Sequence, residues 1–384
     1  MSTPAPAPVP GVSHNSWRRG PARVGAFWQR VSDGHRVDDL WTQFAADARA
    51  TYGFYGSDLD WEEINQLSYI RRPFRIARHM FWALVMKLSP ARRVLLLAAV
   101  TLFVSSSLKV FDLGGQFEWL SATLLLVLLS LELADKVIMK RDLEIAREIQ
   151  AWLVPSHPPE VPGGNIAFAT RPQNSVAGDY YDAFYPRATP AEGGKLMLVI
   201  ADVVGKSVPA ALLMATLQAS LHTIAGDDAP LLGRVARLNR YASAHSLDGL
   251  RFTTAVLGEY DPSSRRLEYV NAGHNPPILC RANGSTEKLE VGGLPLGIFS
   301  AAPYNAANVE LGAGDVLIFY TDGVVEAFNQ SGEEYGNDRW FAAIRALPIG
   351  TAQEQLAYLM KGVDDFVGAT RQSDDITYMV FRCT

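Results

Sequence analysis

Beyond Pro162 the sequence predicts an α+β fold, with antiparallel sheets covered by helices. Two observations carry this: short apolar runs are bounded by turn residues, and paired helical segments interrupt them. Lys195–Ala201 (KLMLVIA) suits a buried strand, with Asp202 directly after it. A helix is expected over 208–224; Pro209 falls in its first turn, where a missing N–H is harmless, and Gly226 closes it. A second helix is expected over 230–246, and strands over 253–260, 267–271 and 278–281. Asn283-Gly284 is a two-residue hairpin signal leading into a strand over 285–291. Asp315–Thr321 (DVLIFYT) reads as another buried strand, ending at Asp322. A helix over 352–367 and a last strand over 376–382, preceded by Asp374-Asp375, complete the pattern.

The preceding part of the chain reads differently. Residues 1–15 are rich in Pro, Ala and Ser and carry no charge, which predicts a disordered tail rather than a secretory leader. Residues 16–90 hold many aromatics, among them Trp17, Trp28, Trp41 and Trp61, with helices expected over 37–50 and 61–70. No chemistry-bearing motif occurs there. Two uncharged apolar stretches follow, 15 residues over 94–108 and 13 over 119–131. A spanning helix needs ~20 apolar residues, so each must extend past a flanking charge: Lys109, Glu118 or Glu132.

Arg92 and Arg93 precede the first stretch; Lys136, Lys140 and Arg141 follow the second; the connection Asp112–Glu118 is acidic. Basic ends and an acidic tip predict a membrane hairpin over 91–135 with both ends in the cytoplasm. A soluble helical hairpin packed on residues 16–90 is the alternative. Leu131, Ile138, Ile145 and Trp152 are spaced by seven, so residues 136–154 read as an amphipathic linker helix. It either pairs two protomers or packs on the domain that follows. Pro155, Pro158, Pro159 and Pro162 mark the start of that domain, residues 155–384.

Composition narrows the chemistry. A chain of 384 residues, 48% apolar and 20% charged, folds as two or three units. A net charge of -5 argues against a nucleic-acid binder dominated by phosphate contacts. Cys280 and Cys383 are the only cysteines, so no disulfide framework forms and a reducing cytosol fits best. The seven histidines include no i,i+4 pair and hence no zinc-protease signature. A bound metal would have to be held by carboxylates.

The carboxylates fall at telling positions. Asp202 and Asp322 end apolar strands, Asp374-Asp375 precedes one, and Asp179 and Asp182 lie in GDYYD. Strand ends meet at one rim of a sheet, where carboxylates ~4–6 Å apart repel and hold one another's protons. A hard divalent cation removes that conflict, and an oxygen-only donor set selects Mg²⁺ or Mn²⁺. Turn chemistry places aspartates at strand ends too, so position alone leaves both readings open.

The motifs go further. V176-A-G-D-Y-Y-D182 and I200-A-D-V-V-G-K-S-V-P-A-A211 are followed by F252-T-T-A-V-L-G, Y269-V-N-A-G-H-N-P-P277 and G293-L-P-L-G-I298. L317-I-F-Y-T-D-G-V-V-E-A327 and S373-D-D-I-T377 complete the set. Together they resemble, in order, the PPM-type metal-dependent serine/threonine protein phosphatases, and most closely their SpoIIE/RsbU-like bacterial branch.

The resemblance covers roughly residues 146–384 and implies an α-β-β-α sandwich with two Mn²⁺ or Mg²⁺ ions between its sheets. By position it implies that Asp202 bridges the metals, that the Val203 carbonyl binds one, and that Asp322 and Asp374 bind the other. Asp202 and Asp322 are thus the expected catalytic pair. Asp375 is the neighbouring alternative to Asp374, and Asp179, the acidic residue of the first motif, is implied to act on metal directly or through water. Asp182 and Glu326 occupy acidic positions that would stand behind the ligands. Asn271 and His274 either hold a turn or lie near substrate phosphate. Gly178, Gly205, Gly273 and Gly323 serve turns and close backbone approach.

Two motif positions depart from the family pattern: Val204 replaces a small polar residue and Ser207 a glycine. Where animal and plant members carry a phosphate-binding arginine, this chain has Asn174 and Ser175, with Arg171 further upstream. The implied reaction is hydrolysis of phosphoserine or phosphothreonine on a small regulatory protein of the anti-sigma-factor-antagonist type. The implied setting is the cytoplasmic face of the membrane, with homodimers through the linker. A membrane-bound scaffold that recognises a phosphoprotein without turning it over is the competing reading.

Overall fold

A computed structural model describes residues 72–108, 116–187, 192–246 and 250–384. The predicted tail, the helices over 37–50 and 61–70, and most of the acidic connection lie outside them. The chain divides into two compact units, Met1–Leu133 and Ala134–Thr384.

In the first unit, α1 (Arg72–Lys87) precedes α2 (Pro90–Ser107), and the unit also holds the start of α3 (Gln116–Leu153). The apolar stretch over 119–131 and the linker are therefore one continuous 38-residue helix. Pro90 sits in the first turn of α2, where its fixed φ favours the helix. Within the unit α2 and α3 touch at three heights. Arg92 Nη1 pairs with Glu132 Oε1 at 2.8 Å, Ser121 Oγ donates to Ala99 O at 2.8 Å, and Ser106 Oγ donates to Glu118 Oε1 at 3.1 Å. Ala99 and Ser121 are buried, while Val94, Leu97, Phe103, Leu126 and Leu129 point outward and are exposed. By length and composition alone, α2 is apolar enough to cross a membrane.

The second unit holds two sheets. The first contains β1 (Gly164–Arg171), β6 (Ile278–Cys280), β7 (Thr286–Lys288), β10 (Val316–Tyr320) and β11 (Ile376–Cys383), in the order β1-β11-β10-β6-β7. The other contains β2 (Tyr180–Phe184), β3 (Leu196–Val203), β4 (Thr253–Asp261), β5 (Arg266–Ala272) and β8 (Gly292–Gly293) in that order, with β9 (Ala307–Glu310) also on β5.

Side-chain alternation along the strands builds the layers. Leu198 and Ile200 of β3 meet Leu317, Phe319, Met379 and Phe381 in the core between the sheets. Met197, Val199 and Ala201 face the other way, onto α4 (Ser207–Ala225) and α5 (Leu231–Ala244) through Met214, Leu221 and Val235. Ile318, Tyr378 and Val380 face α6 (Gly336–Arg345) and α7 (Ala352–Val367), with Trp340 fully buried among them. The result is the expected α-β-β-α sandwich. Strands buried on both faces lack polar alternation, which is why KLMLVIA and DVLIFYT read as unbroken apolar runs.

Several boundaries shift. The strand expected over 195–201 runs to Val203, so Asp202 lies on the strand rather than after it. β1, β2, β9 and α6 were not among the predicted elements. α7 starts with a capping box in which Thr351 and Glu354 satisfy each other's backbone N–H groups.

The chain enters α4 through Gly205 at φ 107° and Ser207 at φ 63°. The second is a left-handed conformation that a side chain disfavours, at the position where the sequence departs from glycine. Ser207→Gly is expected to raise unfolding free energy by about 0.5–1 kcal/mol in urea titration. Unchanged or lower stability would show that Ser207 bears no strain.

Candidate metal and catalytic site

The sheets present strand ends along one rim. Asp179 precedes β2, Asp202 lies near the end of β3, Asp322 follows β10, and Asp374-Asp375 precedes β11. Pairing of Tyr180 with Ala201 and of Tyr320 with Tyr378 puts these ends side by side within each sheet. Direct hydrogen bonds tie the sheets together here. Thr321 Oγ1 donates to Asp179 Oδ2 at 2.9 Å, and Gly178 N donates to Asp375 Oδ2 at 2.6 Å.

Electrostatics shows how crowded the rim is. Burial, and then the charges of Asp322, Asp374, Asp375 and Glu326, push the Asp202 carboxyl up to about 7. Burial and the Asp202 charge raise Asp179 well above the carboxylate range, against hydrogen bonds from Thr377 and Thr321. Asp322 is raised by burial and by Asp374; Glu326 by burial, Asp322 and Asp374. Each group thus disfavours charge on its neighbours. Lys206 Nζ supplies a compensating cation 2.9 Å from Asp374 Oδ2 and also donates to Ser373 O at 2.9 Å.

Asp374 and Asp375 differ in their partners. Asp375 accepts Gln173 N on Oδ1 and Gly178 N on Oδ2, both at 2.6 Å, so each of its oxygens holds a backbone amide. Asp374 meets Lys206 and the Asp375 amide, and its charge is felt by Asp202, Asp322 and Glu326. Among the described residues no group of three or more His, Cys, Asp or Glu side chains already stands at metal-holding spacing. The donor set nonetheless suits a hard divalent ion: it is oxygen-only, partly buried and short of positive charge. The backbone leaves room for it. A Cβ on Gly178 would lie 3.2 Å from Val203 O, and one on Gly323 only 2.0 Å from Asp375 O, so both glycines permit close approach.

One sequence expectation changes, and positions that the sequence left open acquire partners. Asp182 is not at the rim: strand period turns it with Tyr180 toward α4, where it accepts Tyr180 Oη at 2.6 Å and meets His222 Nε2 at 2.7 Å. Asn271 and His274 are buried and face each other rather than an open surface. Asn271 Oδ1 accepts His274 N at 2.8 Å, and Asn271 Nδ2 donates to His274 O at 3.0 Å, closing the turn. Arg171 is paired with Asp364.

Lys206, Thr321 and His222 also contact the acidic residues, at positions that the motifs alone do not mark. Lys206 was visible as the one cation inside the IADVVGKS motif, and Thr321 as a polar residue ending an apolar strand.

Comparison with known proteins identifies the family and the fold. A family described as Stage II sporulation protein E (SpoIIE) matches residues 192–384. Protein IcfG of Synechocystis sp. is 27% identical over 297 residues, 70% of this chain and 46% of that protein. Phosphoserine phosphatase RsbU of Bacillus subtilis is 27% identical over 195 residues, 50% of this chain and 56% of that protein. The chain thus spans about half the length of the curated relatives it matches. The SiaA-PP2C domain of Pseudomonas aeruginosa shares the fold, with a TM-score of 0.55 at 19% identity, covering 65% of this chain and 99% of that one.

His274 braces the rim across the two sheets. Its Nε2 donates to Tyr320 O at 3.2 Å on β10, and its Nδ1 accepts Thr254 Oγ1 at 2.8 Å on β4. Burial favours the neutral ring and lowers its pKa to about 4, against the Tyr320 bond, which favours the charged form. The unfolded chain, near 6.5, binds this proton first, so stability is present above pH 6.5 and is lost as pH falls toward 4. His274→Gln is expected to flatten the fall of unfolding free energy between pH 6.5 and 4 by on the order of 3 kcal/mol. Parallel pH profiles for the two proteins would contradict the neutral brace.

Proposed function

Because the chain belongs to the Stage II sporulation protein E (SpoIIE) family, we propose that it is a metal-dependent protein phosphatase acting on phosphoserine or phosphothreonine. One observation carries this reading: five acidic residues from four separate segments meet at one rim, where burial and neighbouring carboxylate charge raise their pKa values. When bound, two divalent ions would neutralise that charge, activate water and polarise the phosphoryl group.

The residues divide the work as follows. Asp202, Asp322 and Asp374 would hold the ions with the Val203 carbonyl, and Asp179 would stand beside Asp202. Asp375 would staple the loop through its two amide bonds. Glu326 would stand behind Asp322 and Asp374. Lys206 would orient Asp374 and, with an ion in place, be free to meet substrate phosphate. Cys280 and Cys383 belong to strands in the sheet away from this rim, and burial raises both thiols, so neither suits attack on phosphorus.

A phosphorylated regulatory protein is the substrate class by analogy with RsbU. The α2–α3 hairpin would anchor the enzyme in the cytoplasmic membrane, with its outward apolar side chains in lipid and Glu118 and Glu132 paired. Ile138, Ile145 and Trp152 are exposed along the linker and would seat a second copy.

The detergent-purified chain is expected to hydrolyse p-nitrophenyl phosphate with Mn²⁺. Asp202→Ala and Asp322→Ala should each lower the rate at least 100-fold with circular dichroism unchanged. Full activity in both variants would refute the site; binding of phosphopeptide without turnover would favour the scaffold. Alkaline carbonate should leave the chain in the membrane pellet, and release by carbonate would refute the anchor.

A further inference from the structure

The last turns of α3 carry Gln150, which faces the loop leading to Asp179. Its Nε2 donates to Ala177 O at 2.7 Å, and its Oε1 accepts Ala177 N at 2.9 Å. One carboxamide therefore satisfies both backbone groups of a buried residue outside the sheets. The next two residues do the electrostatic work. Gly178 N holds Asp375 Oδ2, and Asp179 receives Thr321 and feels the charge of Asp202.

This turn has little slack. A Cβ on Gly178 would meet Val203 O at 3.2 Å and Ala210 Cβ at 3.3 Å, so the turn lies close against the end of β3 and the start of α4. Val176 and Ala177 are both buried. Val154, just past the helix end, packs separately into the core between β3 and α4. The helix end is thus held by two distinct features: an apolar contact at Val154, and a polar clamp at Gln150 on the acidic loop.

We propose that Gln150 is a positioning residue of the acidic rim, its carboxamide fixing Ala177 so that Gly178 and Asp179 stand where Asp375 and Asp202 require them. The proposal rests on the metal-site reading of the same rim. Without the clamp the Ala177 amide and carbonyl turn to water, and the loop moves by the few tenths of an ångström that ligand geometry does not tolerate. Side chains that orient ligands without touching metal typically cost 10–100-fold in metal affinity when removed.

Two full-length variants separate positioning from plain helix docking. Gln150→Met keeps the volume and removes both hydrogen bonds; Val154→Ala loosens the helix end and leaves the clamp. Mn²⁺ binding is measured by calorimetry, and hydrogen exchange over residues 174–181 is measured in metal-free protein. Gln150→Met is expected to weaken Mn²⁺ binding about tenfold and to speed exchange at Ala177, whereas Val154→Ala lowers melting temperature with near-normal Mn²⁺ binding. Wild-type Mn²⁺ affinity in Gln150→Met, or an equal loss in Val154→Ala, would overturn the proposal. If the wild-type chain binds no Mn²⁺, the metal reading falls by itself. The exchange data then decide the clamp, and unchanged exchange at Ala177 in Gln150→Met overturns it.

Discussion

Mutual repulsion among carboxylates at the open rim of the sandwich is the constraint around which the second unit is organised. Asp179, Asp202, Asp322, Asp375 and Glu326 all sit where burial and neighbouring charge disfavour ionisation. A fold with only stability to serve would not gather them. The surroundings offset the cost in part: Thr321 and Thr377 hydrogen-bond Asp179, amides hold Asp375, and Lys206 pairs with Asp374. The remaining deficit of positive charge is what a divalent cation would fill.

The rest of the sandwich serves that rim. The core between the sheets fixes the spacing of β3 and β10, whose ends carry Asp202 and lead into Asp322. His274 ties the backbone of β10 to Thr254 of β4, and Thr254 in turn approaches Asp202 O at 3.4 Å. Gly323 lets the turn after β10 lie against the Asp375 carbonyl. Gln150 extends the same bracing to the helix that precedes the domain.

Much of this was legible in the sequence, for reasons that differ by residue. KLMLVIA and DVLIFYT declared themselves as strands because both faces are buried, and each delivers a carboxylate at its end. Asp182 misled because GDYYD shows two aspartates without the strand register; period two sends Asp182 with Tyr180 to the helix side and leaves Asp179 at the rim. Asp374 and Asp375 are adjacent, and only contacts with Gln173 and Gly178, some two hundred positions away, distinguish them. Such pairings leave no local trace, and the same holds for Thr321 with Asp179. α6 is hard to see in the sequence because it is only ten residues long and opens on the poor helix formers Gly336, Asn337 and Asp338, although Trp340 anchors it.

Anomalous diffraction at the manganese edge, from crystals of the full chain grown with Mn²⁺, would show whether the acidic rim holds divalent ions. Peaks are expected at the rim, within ligand distance of Asp202, Asp322 and Asp374, with the Lys206 ammonium displaced from Asp374 and Asp375 still holding its two amides. Well-ordered carboxylates in their present hydrogen bonds, with manganese bound elsewhere or nowhere, would contradict that expectation.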